Sequence, residues 1–210
     1  MKLFTGSYMG DRPVVNMDAA VAKAAVDVAH AEGKPVFAHP QNRTGVDAVV
    51  AAGVDVLAHT IPNTTDELAQ FKFQGTALIP TLSIWMSVSI DPAVTERLVR
   101  SGVDQLKAFS ANGGLILFGT DVGFYTFSDP SLEFELMHQA LSEMEVLASL
   151  TTNPASYFKA ARKGRVEQGF DADLVVLEGD PPSMFATLRS SSPPSGLARL
   201  FMRNRNRGEA

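Results

Sequence analysis

The chain has 210 residues, 45 % of them apolar and 20 % charged, enough for one substantial core and for one or two domains. Eighteen Lys and Arg against 23 Asp and Glu leave a formal net charge of −5, which offers no electrostatic footing for nucleic acid or an anionic membrane surface. Cysteine is absent, so disulfides, thiolate metal sites and cysteine nucleophiles are all excluded, and any metal must be held by imidazole and oxygen.

Lys2-Leu3-Phe4-Thr5-Gly6 predicts a short strand ending in a glycine turn. The first eight residues hold one basic residue and no sustained apolar run, so they do not read as a signal peptide. No apolar stretch reaches the length of a membrane span, and a cytoplasmic location is the default expectation. From 17 to 32, Val21, Ala25, Val28 and Ala29 share one face at helical spacing, and Gly33 is a stop. A buried strand follows over 36–38. Val46, Val49 and Val50 mark a helix ending at Gly53, and the next strand spans 54–58. Thr64-Thr65-Asp66-Glu67 is a capping box opening a helix to about 73, and 76–79 is another strand.

Asp91-Pro92 supplies an N-cap and a first-turn proline for a helix that turns Val94, Leu98 and Leu106 inward and ends near Asn112-Gly113-Gly114. Then come a strand over 115–118, a helix around 132–139, a capping box Ser142-Glu143-Met144-Glu145, and a helical segment from Asn153-Pro154. His30 and His138 fall in helices and read as surface or packing residues. After Lys163 the pattern changes. Gly164 to Gly169 is turn-rich and leads into a strand over 172–177, 190–196 has the composition of a linker, and the Arg-rich end is expected to be disordered.

Strand alternating with helix predicts an α/β fold with a parallel sheet whose apolar strands are covered on both faces. An open sheet and a closed barrel share that local pattern. Polar residues recurring at strand tips favour the barrel. Three such residues stand out: His39 after Pro35-Val36-Phe37-Ala38, His59 after Val54-Asp55-Val56-Leu57-Ala58, and Asp121 after Leu115-Ile116-Leu117-Phe118-Gly119-Thr120. Each has a plainer reading, a hydrogen-bonded histidine or the N-cap of a turn. Two histidines twenty residues apart, both at strand tips, favour metal ligands, and neutral imidazole suits Zn²⁺ and similar ions.

Five phrases in order resemble the metal-dependent amidohydrolase superfamily, in particular its imidazolonepropionase-like and prolidase-like members. They are Gly33-Lys34-Pro35-Val36-Phe37-Ala38-His39, Ala52-Gly53-Val54-Asp55-Val56-Leu57-Ala58-His59, Phe118-Gly119-Thr120-Asp121, Ser149-Leu150-Thr151-Thr152-Asn153-Pro154-Ala155, and the run from Gly164 to Leu177. The resemblance covers roughly residues 1 to 180. It implies a partial TIM (β/α)8 barrel, about strands four to eight, followed by part of a small β-sandwich. The expected boundaries are 1–160 for the barrel, 161–182 for the sandwich fragment and 183–210 for a linker and tail.

In that family His39 would end the fifth strand, His59 the sixth and Asp121 the eighth. Lys2 falls where many members carry a fourth-strand lysine that bridges two metals once carbamylated. The family's first-strand His-x-His pair has no counterpart, since the only histidines are His30, His39, His59 and His138. The chain is therefore expected to be the C-terminal portion of the family architecture, and Pro40-Gln41 stand where many relatives carry a further histidine.

The implied activity is hydrolysis of carbon–nitrogen bonds other than ordinary peptide bonds, on a small-molecule amide or cyclic amide. One or two divalent ions would serve, Zn²⁺ first, with Mn²⁺ or Fe²⁺ as alternatives. Such an ion lowers the pKa of its water from about 15.7 to about 7, and Asp121 would act as ligand and general base. Tyr8, Trp85 and Tyr125 are candidate substrate walls, and Asp173 is a structural residue of the sandwich. The rival expectation is a non-catalytic fragment that needs missing strands or a partner chain, with self-association through open barrel edges.

Overall fold

The computed structural model describes residues 1–6, 16–40, 42–60, 75–123 and 130–175, with Arg43 described by its backbone alone. The helix expected over 64–73, Tyr8, Tyr125, the linker and the Arg-rich end lie outside the described residues. The chain divides into two compact units, Met1–Leu141 and Ser142–Ala210.

The first unit is built on a four-stranded parallel sheet in the order β1 (Lys2–Phe4), β2 (Phe37–His39), β3 (Val56–Ala58), β4 (Ala77–Ile79). The strands stand in sequence order, which parallel pairing allows only through crossover connections. Leu3 pairs with Ala38, Ala38 with Leu57 and Leu57 with Leu78, so these four form one row across a single face. All four are buried, as the apolar runs require. A fifth segment joins at one residue only: Ile116 bridges Leu78, with Leu78 N donating to Leu115 O and Leu117 N to Leu78 O, both at 2.9 Å. The strand expected over 115–118 is thus shortened to a bridge. Gly119 brings the backbone against β4, since a Cβ there would lie 2.6 Å from Ile79 Cγ2.

Helix α1 (Ala19–Ala31) is capped by Asp18, whose carboxylate accepts from Ala20 N. Its buried face is Ala22, Val26 and Ala29. The face expected from the sequence is one position off: Val21 and Val28 are exposed. Both sets satisfy helical spacing, and the face through Ala22, Val26 and Ala29 is the one buried where α1 packs beside α2 (Arg43–Ala52). In α2, Asn42 caps the start, Val46 and Val49 are buried, and Gly53 closes the end at φ 78, a left-handed position that costs a side-chain-bearing residue strain.

After β4 the chain enters a 3-10 helix, Leu82–Ser87, and then α3 (Pro92–Ala111), with Asp91 as N-cap and Pro92 in the first turn as expected. Leu98 and Leu106 of α3 are buried, and Val94 packs against the Ile84, Trp85 and Leu98 cluster. Gly102 is where α3 meets the 3-10 helix: a Cβ there would lie 2.8 Å from Thr60 Oγ1 and 3.0 Å from Leu82 Cδ2. Short α4 (Ser131–Met137) also packs on the 3-10 helix. His138, expected within this helix, is its C-cap and is buried.

In the second unit α5 (Glu143–Leu150) opens with the full Ser142/Glu145 capping box and packs against α6 (Thr152–Tyr157). Residues 172–175 form no strand, contrary to expectation, and 176–177 lie outside the described residues. This segment and its neighbours are tied instead by ion pairs of Arg162 with Asp171 at 2.5 Å and of Lys163 with Asp173. Among the described residues no helix is long and apolar enough to cross a membrane.

Candidate functional site

The parallel sheet sends all its strand ends to one edge, and three of the expected residues gather there. His39 is the last residue of β2, level with Phe4 of β1. His59 follows β3 directly and is almost wholly buried, its backbone N donating to Ile79 O at 2.8 Å. The two imidazoles meet edge to face with ring centroids 4.5 Å apart, and the Phe4 ring lies 4.9 Å from that of His39. Asp121, beyond the Ile116 bridge, places Oδ2 at 3.9 Å from His59 Nε2.

The protonation of His59 follows from its neighbours. Thr81 Oγ1 lies 2.8 Å from Pro80 O, to which it donates its single proton. With that proton on Pro80 O, the 2.5 Å contact between His59 Nδ1 and Thr81 Oγ1 is one the ring donates, an arrangement that leaves the lone pair on Nε2. The pKa of His59 is pushed down to about 3, first by burial and then by the nearby charges of His39 and Lys2. The ring is therefore neutral at ordinary pH, and the 3.9 Å approach of Asp121 is not an ion pair there. His59 Nε2 is buried without a hydrogen-bond partner among the described residues.

Two of these donors, His59 and Asp121, suit a shared divalent ion. A buried nitrogen lone pair with no partner is costly unless something coordinates it. Two ligands each about 2.1 Å from a shared ion lie at most about 4.2 Å apart, so the separation of His59 and Asp121 is within reach of one ion. Among the described residues, no three His, Asp or Glu side chains by themselves form a group able to hold an ion. Lys2 lies in β1, exposed, with Nζ 5.2 Å from the centre of the Phe4 ring.

Trp85 is buried in the 3-10 helix, and its Nε1 donates to Thr60 Oγ1 at 2.8 Å. Tyr8 and Tyr125 lie outside the described residues. His30, in the last turn of α1, bonds through Nε2 to Asp55 Oδ2 at 2.8 Å, beside the start of β3 and not its tip. A cleft of about 870 Å³ lined by Met144, Leu147, Leu150, Phe158 and Val166 lies within the second unit and holds none of the expected site residues.

Two contributors escape the sequence reading. Thr81 sits just past the tip of β4, and the strand-tip logic that picked out His39, His59 and Asp121 would have found it had it been applied to the strand over 76–79. Glu133 of α4 is completely buried, and its two carboxylate oxygens accept from Leu82 N and Ser83 N, each at 2.8 Å. Burial pushes its carboxyl above the usual range, and those N–H donors pull it back only in part. Nothing in the local sequence marks it, because its partners are 50 and 51 residues away.

Residues 2–202 match the amidohydrolase family, and the chain belongs to that family. Over 170 residues, 76 % of this chain and 35 % of the relative, it is 25 % identical to ochratoxinase of Aspergillus niger. An uncharacterized protein of Mycobacterium tuberculosis is 42 % identical over 62 residues, covering 30 % of this chain and 17 % of that protein. Among solved structures, a Bifidobacterium longum protein assigned as a prolidase superposes with a TM-score of 0.75 at 28 % identity, over 89 % of this chain and 51 % of its own. A Xaa-Pro dipeptidase, also at TM-score 0.75 and 23 % identity over 89 % of this chain and 50 % of its own, shares the fold. The chain thus spans about half of these solved relatives and about a third or less of the curated ones.

Proposed function

We propose that the strand-tip edge of the first unit is part of a metal-dependent amidohydrolase site of the prolidase-like branch. The chain would represent about strands four to eight of a (β/α)8 barrel over 1–160, with 161–182 part of a framing β-sandwich. The observation that carries the reading is His59 Nε2, a buried nitrogen without a hydrogen-bond partner among the described residues, 3.9 Å from Asp121 Oδ2. His39, His59 and Asp121 would hold the ion, Zn²⁺ first, with a carbamylated Lys2 completing the set.

A bound divalent ion would supply Lewis-acid charge to the scissile carbonyl and acidify water beside it. The chain's own residues would do the rest. Asp121, half-buried at the same edge, would take the proton of the attacking water on its carboxylate and return it to the departing nitrogen as the new C–O bond forms and the C–N bond breaks. His59, held by Thr81, presents a fixed lone pair. The Phe4 ring, 62 % exposed beside His39, offers an apolar wall to a small amide. The substrate class is a non-peptide or dipeptide-like C–N bond, in keeping with relatives named prolidase, Xaa-Pro dipeptidase and ochratoxinase. Among the described residues β1 pairs with β2 alone, and this open edge is a surface for self-association that size-exclusion chromatography would measure.

Metal analysis after zinc or manganese supplementation tests the reading. Bound ion in the wild-type chain, lost in His39→Ala, His59→Ala and Asp121→Asn, is the expected result. No ion in the wild type, or retention unchanged in all three variants, overturns it.

A further inference from the structure

We infer that Thr81 and Glu133 are positioning residues that together fix the tautomer and aim of His59. The inference concerns the same edge as the proposed metal site and gains its purpose from that reading, but its geometry stands without it.

Thr81 adopts φ 45, in the left-handed region where a β-branched residue is strained. Such a conformation persists only where its surroundings over-determine it. On its N-terminal side, Thr60 N donates to Pro80 O at 3.1 Å and His59 N to Ile79 O, so the tips of β3 and β4 advance together. On its C-terminal side the next two peptide N–H groups, of Leu82 and Ser83, are each held by one oxygen of Glu133. Those bonds set the plane of the peptide that follows Thr81 and hence its ψ. With both flanking peptides fixed, Oγ1 has one place to go, between Pro80 O and His59 Nδ1.

The consequence is chemical. A neutral imidazole in water distributes its proton between two nitrogens, and only the Nδ1–H form leaves Nε2 free to accept. Thr81, its own proton committed to Pro80, can only accept from the ring and so selects that form. Glu133 acts on His59 at one remove. An uncharged helix cap elsewhere would serve the 3-10 helix equally well. A fully buried carboxylate with both oxygens committed to the two peptides after Thr81 is a costlier device, and its cost is met where a strained residue must be held.

The test is ¹⁵N imidazole spectroscopy of the metal-free full chain at neutral pH, with folding checked by fluorescence of Trp85. His59 is expected to show a protonated Nδ1 and an unprotonated Nε2. Thr81→Val keeps the β-branched shape and the backbone strain but cannot accept, and it should move His59 toward the Nε2–H form. Thr81→Ser should restore the wild-type signature. Glu133→Gln should broaden or shift His59 toward a tautomer mixture while Trp85 remains buried. Should Glu133→Gln not fold, Thr81→Val against Thr81→Ser still decides the Thr81 assignment, and Ser83→Pro, which deletes one of the two N–H donors, replaces it for Glu133.

An unchanged His59 signature in folded Thr81→Val overturns the inference, and an unchanged signature in the folded Glu133 or Ser83 variant removes Glu133 from it. Zinc affinity is the second readout, with a loss of about 10–100-fold expected in Thr81→Val and recovery in Thr81→Ser. Tautomer control without zinc binding in the wild type would leave this inference standing and remove the metal reading. Zinc binding with an unchanged tautomer would do the reverse.

Discussion

A histidine kept neutral by burial makes folding depend on pH in a direction that can be worked out in advance. His59 has its pKa lowered from 6.5 to about 3. Between those values the unfolded chain binds a proton there and the native chain does not, so stability rises with pH and is lost on acidification. The full difference corresponds to about 4–5 kcal/mol at about 1.36 kcal/mol per pH unit. Going only from about pH 7 to about pH 5, the linkage relation gives a loss of about 2 kcal/mol from this one residue. Metal-free protein unfolded in urea, followed at Trp85, the single tryptophan and a buried residue of the same unit, reads it directly. The comparison is with His59→Asn. Asparagine tolerates the φ of 78 found here, its amide can donate to Thr81 Oγ1 much as Nδ1 does, and it does not titrate. The wild type should lose about 2 kcal/mol more than His59→Asn over that interval. Parallel pH profiles would show that His59 is not held neutral and would refute the electrostatic account of the site.

Three further outcomes check the fold. Gly53→Ala, where a Cβ meets nothing within 4 Å, should cost about 1 kcal/mol through backbone strain alone, read as a shift of the urea midpoint. Gly102→Ala gains about 0.8–1.0 kcal/mol of helix propensity, yet its Cβ would press on Thr60 Oγ1 and Leu82 Cδ2. The net effect should be destabilising by about 1–3 kcal/mol, and a stabilised variant would contradict the packing of α3 on the 3-10 helix. Ser142→Ala removes the capping box of α5 and should lower the hydrogen-exchange protection of that helix by about 1 kcal/mol, with no change at Trp85 in the other unit.

What was legible in the sequence is what local physics writes there. The caps at Asp91 and Ser142, the glycine stop at Gly53 and the apolar strands ending at His39 and His59 all follow from short-range rules, and the structure places them as read. The inner face of α1 was misjudged because spacing admits two faces sharing Ala29, and only the neighbouring helix decides between them. Trp85 drew attention as an aromatic after a strand, and its burial depends on α3 arriving from elsewhere in the chain. Glu133 was invisible for the same reason. A carboxylate in a helix looks solvated until the fold brings two orphan N–H groups to it from 50 residues away.

The geometry of the site itself turns on a feature that period-two reasoning gets wrong. Phe37 pairs with Val56 and Ala38 with Leu57, so His39 shares a face with Ala58, and an extended residue 59 would point to the opposite face. His59 nonetheless meets His39 edge to face, because its φ of 78 breaks the alternation and swings the side chain back. Thr81 and Asp121, past the tips of the next two segments, also have positive φ, 45 and 56. Of the four non-glycine residues with positive φ among the described residues, three stand on this edge, and the fourth, Lys159, belongs to the other unit. Each such residue costs of order 1–3 kcal/mol. Strain of that size gathered where two imidazoles and a carboxylate converge supports the proposed reading of this edge as a ligand site, since a packing role would be filled at lower cost by glycine or asparagine at all three tips.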